Sequence, residues 1–158
     1  MSSLPARSAA EQQRLDQTLQ ELFEQRISFN TVIGLHIGPD SLATLQFEMR
    51  PELIGHYLHG RLHGGVISTA LDTVGSLALM RAIADKHGHE STEQILTRFA
   101  RMGTIDLRID FLRQGLGRVF TASAEVTRVG GRIGSTLMRL SNEEGTLIAT
   151  GAATYVIS

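Results

Sequence analysis

Between Val66 and Ala84 the chain carries only two charged residues, Asp72 and Arg81. A helix of that composition is apolar nearly all round, so it belongs inside a fold rather than along its surface. The run is long enough to raise a membrane-spanning reading. That reading fails, because Gly64, Gly65, Ser68, Thr69, Asp72, Thr73, Gly75 and Ser76 crowd its first half and an acid near the middle opposes insertion. The run is therefore a buried central helix, starting near Gly65 and ending near Lys86 to Gly88. Lysine and histidine suit the C-terminal dipole there, and Gly88 is placed for a left-handed cap. Asp72 lies two turns inside this helix. A carboxylate there loses hydration, which is costly unless it is paired, hydrogen-bonded or protonated. Function is the usual reason for tolerating that cost; the alternative is an acid satisfied by helix-end amides or an arginine.

The remaining periodicities describe what surrounds the helix. Ser8-Ala9-Ala10-Glu11 fits a capping box, and Leu15, Leu19, Leu22 and Phe23 follow at helical spacing, so an amphipathic helix is expected from about Ala9 to Arg26 as an outer cover. Ala43, Leu45, Phe47 and Met49 alternate with polar residues, giving a half-buried strand that ends before Pro51. Pro51 to Leu62 reads as a glycine-punctuated loop, and His89 to Met102 as a polar, loosely ordered stretch. Strands follow at Ile105–Phe111, Phe120–Val126, Ile133–Leu140 and Leu147–Ile157, joined by short turn-rich connections that imply antiparallel hairpins. The result is an α+β domain, an antiparallel sheet curling around one helix. Because that helix is apolar on its other side too, a second copy of the subunit is expected to cover it.

Bulk properties narrow the function. At 158 residues and 42% hydrophobic, the chain is long enough for one domain with a proper core. A formal net charge of −1 argues against a nucleic-acid or membrane-surface protein. With no cysteine, disulfides, Cys-ligated zinc and a thiol nucleophile are excluded. Met1 to Arg7 has no apolar core of the kind a signal peptide needs, which makes the cytoplasm the expected location.

His63-Gly64-Gly65, followed nine residues after the histidine by Asp72, and Thr104-Ile105-Asp106-Leu107-Arg108-Ile109-Asp110-Phe111-Leu112-Arg113 after the central helix together resemble the hotdog-fold acyl-CoA thioesterases of the phenylacetic-acid type. The resemblance covers roughly residues 30 to 158. It implies a hotdog domain over 30–158, a curved antiparallel sheet wrapped around the long helix, with residues 1–29 as an additional tail and amphipathic helix. It also implies hydrolysis of an acyl-CoA to free acid and CoA, by a homodimer or dimer of dimers, without metal or cofactor, CoA being part of the substrate. Elementary chemistry agrees. A thioester carbonyl under attack by water needs donors for its oxyanion, and free N–H groups at a helix N-terminus supply them. Gly64 is the expected main donor and Gly65 the alternative, since glycine lets the backbone approach closely. Asp72 lies eight residues beyond Gly64, about 12 Å along a helix, so one helix cannot bring both groups to one carbon. An antiparallel partner helix can. In the family the aspartate acts as general base or as nucleophile, and the residues leave the two roles open.

Other residues carry weaker expectations. Thr104 falls where some relatives hold the attacking water with a serine, although it also suits a plain strand edge. His63 is either a base or, more in keeping with its position, a hydrogen-bonding prop for the turn. Where relatives place an asparagine before His-Gly-Gly, this chain has His56-Tyr57, and His56 is the expected substitute donor. His56, His59 and His63 do not make a metal site, because Gly55, Gly60 and Gly64 break the helix their spacing would need. From Arg98 onward all eight basic residues are arginine. Arg128 and Arg132 flank the Gly130-Gly131 turn, a combination that suits CoA phosphates as well as a solvated surface. Val74 and Leu77 are expected along an apolar seam for the acyl chain. Two rivals stay open: a hydratase or dehydratase on the same fold, against which stands the lack of a histidine in the central helix, and a non-catalytic acyl-CoA sensor.

Overall fold

The computed structural model describes residues 5–39 and 43–158. Helix α1, Ala9–Glu21, starts where Ser8 accepts the Glu11 N–H at 3.2 Å. Only half of the expected capping box forms. The Glu11 carboxylate turns away to accept the Thr92 N–H at 2.7 Å, tying two helix N-termini together. The helix does not run evenly to Arg26; Leu22–Arg26 is a π turn, and a second helix α2, Ser28–Ile33, follows. The widened turn frees the Phe23 carbonyl, which the buried Asn30 amide takes at 3.0 Å. Gly34 then ends α2 in the left-handed conformation, φ 79°.

Next come the short strands β1 (His36–Ile37), β2 (Thr44–Glu48), β3 (Ile54–His56) and β4 (Arg61–Leu62), which lead into the central helix α3, Gly64–Lys86. Gly88 does not cap α3. The capping residue is His87, and Arg7 serves the last carbonyls instead, its guanidinium donating to Ala84 O at 3.2 Å and His87 O at 3.3 Å. The stretch from His89 to Met102 is not loose. It carries α4, Thr92–Phe99, with a complete capping box between Ser91 and Gln94 and with Ile95 and Phe99 buried.

Strands β5 (Gly103–Phe111), β6 (Val119–Val129), β7 (Ile133–Asn142) and β8 (Leu147–Val156) complete a six-stranded antiparallel sheet in the order β1-β2-β6-β7-β8-β5. The hairpins β6–β7 and β7–β8 form as expected; β5 and β6 make none. Both edges of β6 are taken, by β7 and by β2, where Phe47 and Phe120 are cross-strand partners stacked 5.2 Å apart in the core. β5 therefore adds to the free edge of β8, setting Leu107 and Ile109 opposite Ala153 and Gly151. The intervening segment 112–118 crosses the end of the sheet. Gly115 O accepts the Leu62 N–H at 3.0 Å, the Asn142 amide donates to Leu116 O at 2.9 Å, and the Glu143 carboxylate accepts the Arg118 N–H at 3.0 Å.

α3 packs across one face of the sheet, against β6, β7 and β8. A Cβ at Gly134 would meet Leu79 at 2.6 Å, and one at Gly75 would meet the Tyr155 hydroxyl at 2.3 Å. Ile67, Leu71, Val74, Leu77, Leu79 and Ile83 all pack into this chain's own core. That overturns two expectations. Val74 and Leu77 are fully buried at 0% exposure and line no seam, and the outward side of α3 is not apolar. Leu15, Leu19 and Phe23 of the N-terminal segment join the same core, with Asp16 3.7 Å from Arg81 of α3. What remains open along the first half of α3 is a stripe of small polar residues, Gly65, Ser68, Thr69, Asp72, Thr73 and Ser76.

Candidate active site

Two clusters form on α3. The first is its N-terminus. Gly55 lets β3 pass directly beneath His63, where a Cβ would stand 2.5 Å from the His63 Cα, and the His63 N–H donates to Leu53 O at 2.8 Å. His63 is thereby held as the N-cap, its Nδ1 accepting the Gly65 N–H at 2.8 Å. The Val66 and Ile67 N–H groups turn to His63 O at 3.0 and 3.3 Å. Of the first four amides of the helix, only that of Gly64 has no acceptor among the described residues. Beside it stands the Phe111 ring, 3.6 Å from where a Gly64 Cβ would be. A cleft of about 520 Å³ opens there, walled by Leu62, Ile67, Phe111 and Leu112, with Arg61 and Arg113 also lining it.

The second cluster surrounds Asp72. The Thr104 hydroxyl donates to Asp72 Oδ1 at 2.9 Å, and the Tyr155 hydroxyl donates to the Asp72 main-chain carbonyl at 3.1 Å. A β-bulge makes the first contact possible. Thr104 pairs with Tyr155 and Asp106 with Thr154, so Ile105 has no partner of its own. The extra residue reverses the alternation of β5. Ile105, expected to point inward, is 57% exposed, and Thr104 points at the helix. Burial first, and then the Asp72 charge, push the Tyr155 phenol above its ordinary range, so it stays a proton donor at any working pH.

The other expected residues fall elsewhere. His56 ends β3, its ring stacked on His59 at 4.7 Å and beside Tyr57 at 5.9 Å, and its buried Nδ1 has no hydrogen-bond partner. Among the described residues no three His, Asp or Glu side chains are grouped to hold a metal. The Gly130-Gly131 turn packs at the opposite end of α3, where Lys86 Nζ donates to Gly130 O at 3.3 Å and the Ile157 N–H donates to Arg132 O at 2.9 Å. Within one chain, Gly64, Asp72 and this turn are three separate places. Sequence reasoning missed Tyr155 and Phe111 as neighbours of the site. Both looked like ordinary inward strand positions, and no local pattern distinguishes them.

A family model for the thioesterase superfamily matches residues 59–149, from just before the helix cap to the start of β8. The chain belongs to the thioesterase superfamily. The medium/long-chain acyl-CoA thioesterase YigI of Escherichia coli K12 is 36% identical over 139 residues, 87% of this chain and 90% of that protein. A Shewanella oneidensis crystal structure related to the same superfamily is 36% identical, with a TM-score of 0.89 over 96% of this chain and all of its own. A Bacillus halodurans protein crystallised with CoA, at 17% identity and a TM-score of 0.64 over 95% of this chain and 92% of that one, shares the fold. The hotdog fold expected from the sequence is the fold observed, and the chain is an enzyme of the thioester-hydrolysing kind.

Proposed function

We propose that this thioesterase hydrolyses medium- to long-chain acyl-CoA, with Asp72 of one subunit and the Gly64 amide of a second acting on the same carbonyl. The observation that carries the reading is the pairing of a free backbone donor at a helix N-terminus with a hydroxyl-bonded carboxylate two turns further along the same uncovered stripe. The chain-length class comes from the similarity to YigI.

In this mechanism Asp72 takes a proton from water as the water oxygen bonds to the thioester carbon, and the oxyanion is received by the Gly64 N–H. Collapse breaks the C–S bond, and the protonated Asp72 carboxyl returns its proton to the departing CoA sulfur, leaving free acid, thiol and the regenerated carboxylate. The same carboxylate can instead attack directly, and single turnover in heavy-oxygen water separates the two courses: label enters Asp72 only in the second. Thr104 holds the carboxylate, and His63 caps the helix rather than moving protons. Gly65 is the lesser oxyanion donor, since its N–H is already given to His63 Nδ1.

The two halves are about 12 Å apart on one helix, so an antiparallel second copy completes each site. The small polar stripe on α3 and the unpaired edge of β5, with Ile105 and Phe111 exposed, are the surfaces such a copy would use. The acyl chain follows the apolar wall of Leu62, Ile67, Phe111 and Leu112 beside Gly64. The nucleotide end of CoA runs toward Arg128, Gly130, Gly131 and Arg132. From Thr104, that turn is two strands across, about 10 Å, and two residues along, about 7 Å. His56, at the end of β3 before the cap, keeps its unpartnered Nδ1 buried, so the Gly64 N–H carries the oxyanion without it.

Purified Asp72→Asn, compared with the parent in a thiol-release assay across short, medium, long and aryl acyl-CoAs, tests the reading. The expected result is an unchanged fold and assembly with turnover reduced about 100-fold or more. Parent-like turnover removes Asp72 from the mechanism.

A further inference from the structure

One cross-strand pair grips the same helical residue at two atoms. Thr104 of β5 and Tyr155 of β8 are direct partners in the sheet, so their side chains rise from the same face. One hydroxyl meets the carboxylate of Asp72, the other its main-chain carbonyl. Three separate features of the chain serve this contact. The bulge at Ile105 turns Thr104 inward. Position 75, one turn after Asp72, is glycine, and a Cβ there would lie 2.3 Å from the Tyr155 hydroxyl and 2.8 Å from that of Thr136. Tyr155 itself is 1% exposed, yet its hydroxyl is turned to the helix backbone rather than to water.

A carbonyl in mid-helix already has the N–H four residues on as its normal donor, so the tyrosine bond is additional to what the helix needs. Its effect is geometric. The Asp72 side chain can rotate about two bonds and its helix can slide on the sheet; a hydroxyl on each end of the residue removes both freedoms at once. Reactions that depend on a carboxylate a few ångströms from its target are sensitive to such placement.

We propose that Tyr155 is a positioning residue for Asp72, forming with Thr104 a two-point clamp that fixes where the carboxylate stands against the thioester. This rests on the reading of Asp72 given above and adds to it a residue that touches neither substrate nor water. Tyr155→Phe keeps the ring in the core and removes only the hydroxyl, so packing and the helix's own bond survive.

The experiment compares purified full-length parent, Tyr155→Phe and Asp72→Asn, with decanoyl-CoA as the probe and with melting temperature and elution volume recorded for each. The clamp predicts that Tyr155→Phe lowers kcat roughly tenfold or more with KM within about twofold, with elution as in the parent and melting lowered by no more than the few degrees one buried hydrogen bond is worth. An unchanged kcat overturns it. A fall in melting temperature accompanied by parallel changes in kcat and KM also overturns it, since the tyrosine then only packs. Asp72→Asn decides the underlying assignment by itself. If that variant is inactive while Tyr155→Phe is unimpaired, the clamp alone fails; if Asp72→Asn retains full turnover, the clamp falls together with the role of Asp72.

Discussion

Removing the His63 side chain separates a structural histidine from a catalytic one. In the structure its Nδ1 accepts the Gly65 N–H at 2.8 Å in a solvent-exposed setting. Losing such a cap costs about 0.5–1 kcal/mol, toward the lower end of the range for caps because water can replace the acceptor. For a chain of this size, about 1 kcal/mol moves the melting temperature by about 2–4 °C. His63→Ala is therefore expected to melt a few degrees lower. If the whole cap energy were also lost from the transition state, kcat would fall about fivefold, because 1.36 kcal/mol corresponds to about tenfold. Loss of a general base costs about 100-fold or more. The two readings thus differ by more than an order of magnitude in thiol release. His63→Asn sharpens the contrast, since its amide oxygen can accept the Gly65 N–H but cannot take a proton. It should recover most of the lost stability and activity. Two stable variants that are both inactive would refute the capping role and make His63 a proton carrier.

Two further outcomes follow from the packing. The Glu143 carboxyl is pushed down to about 2 by its own backbone N–H and then by that of Arg118, with smaller help from Val119 and the Arg118 side chain. A folded value below the ordinary 4.5 means the stabilisation is complete above about pH 4.5 and is lost as the pH falls toward about 2. Urea unfolding at pH 7 and pH 3 should show Glu143→Gln losing less stability over that interval than the parent; equal losses would detach the carboxylate from the crossing segment. At Gly75, an added methyl meets the Tyr155 hydroxyl at 2.3 Å and Met138 sulfur at 3.2 Å. Overpacking of about 1–3 kcal/mol outweighs the gain of up to about 1 kcal/mol from alanine in a helix. Thermal melting should find Gly75→Ala destabilised and Gly75→Ala/Tyr155→Phe partly restored, and a stabilised single variant would contradict the close approach.

The central helix was legible because composition and punctuation agree. Few charges, glycines at its head and a lysine at its tail put its start within a residue of Gly64, and the same stretch exposed Asp72 as an acid without a structural reason. Strands β6, β7 and β8 were legible because each is bounded by turn residues and their neighbours in sequence are their neighbours in the sheet. The segment around α4 misled because its residues are polar on average; what makes it a helix is the Ser91…Gln94 box and the apolar pair Ile95 and Phe99, a signal that was present but short. The cap at Gly88 failed for a reason no local window contains. Arg7, eighty residues away in sequence, had taken the carbonyls.

The bulge at Ile105 marks the deeper limit. Ile105, Leu107, Ile109 and Phe111 alternate without a break, and any reading by period two turns Thr104 outward with Asp106, Arg108 and Asp110. The opposite orientation is chosen by the partner strand, where two residues of β8, Tyr155 and Thr154, face three of β5, Thr104, Ile105 and Asp106. A pattern in one strand records which side chains are apolar; it does not record how many residues the neighbour will count. Yet this one-residue difference turns the Thr104 hydroxyl toward Asp72, and Tyr155 becomes its companion only through that register. The sequence thus shows the acid and not its support, because the acid departs from its local context while the support follows from pairing between strands far apart in the chain.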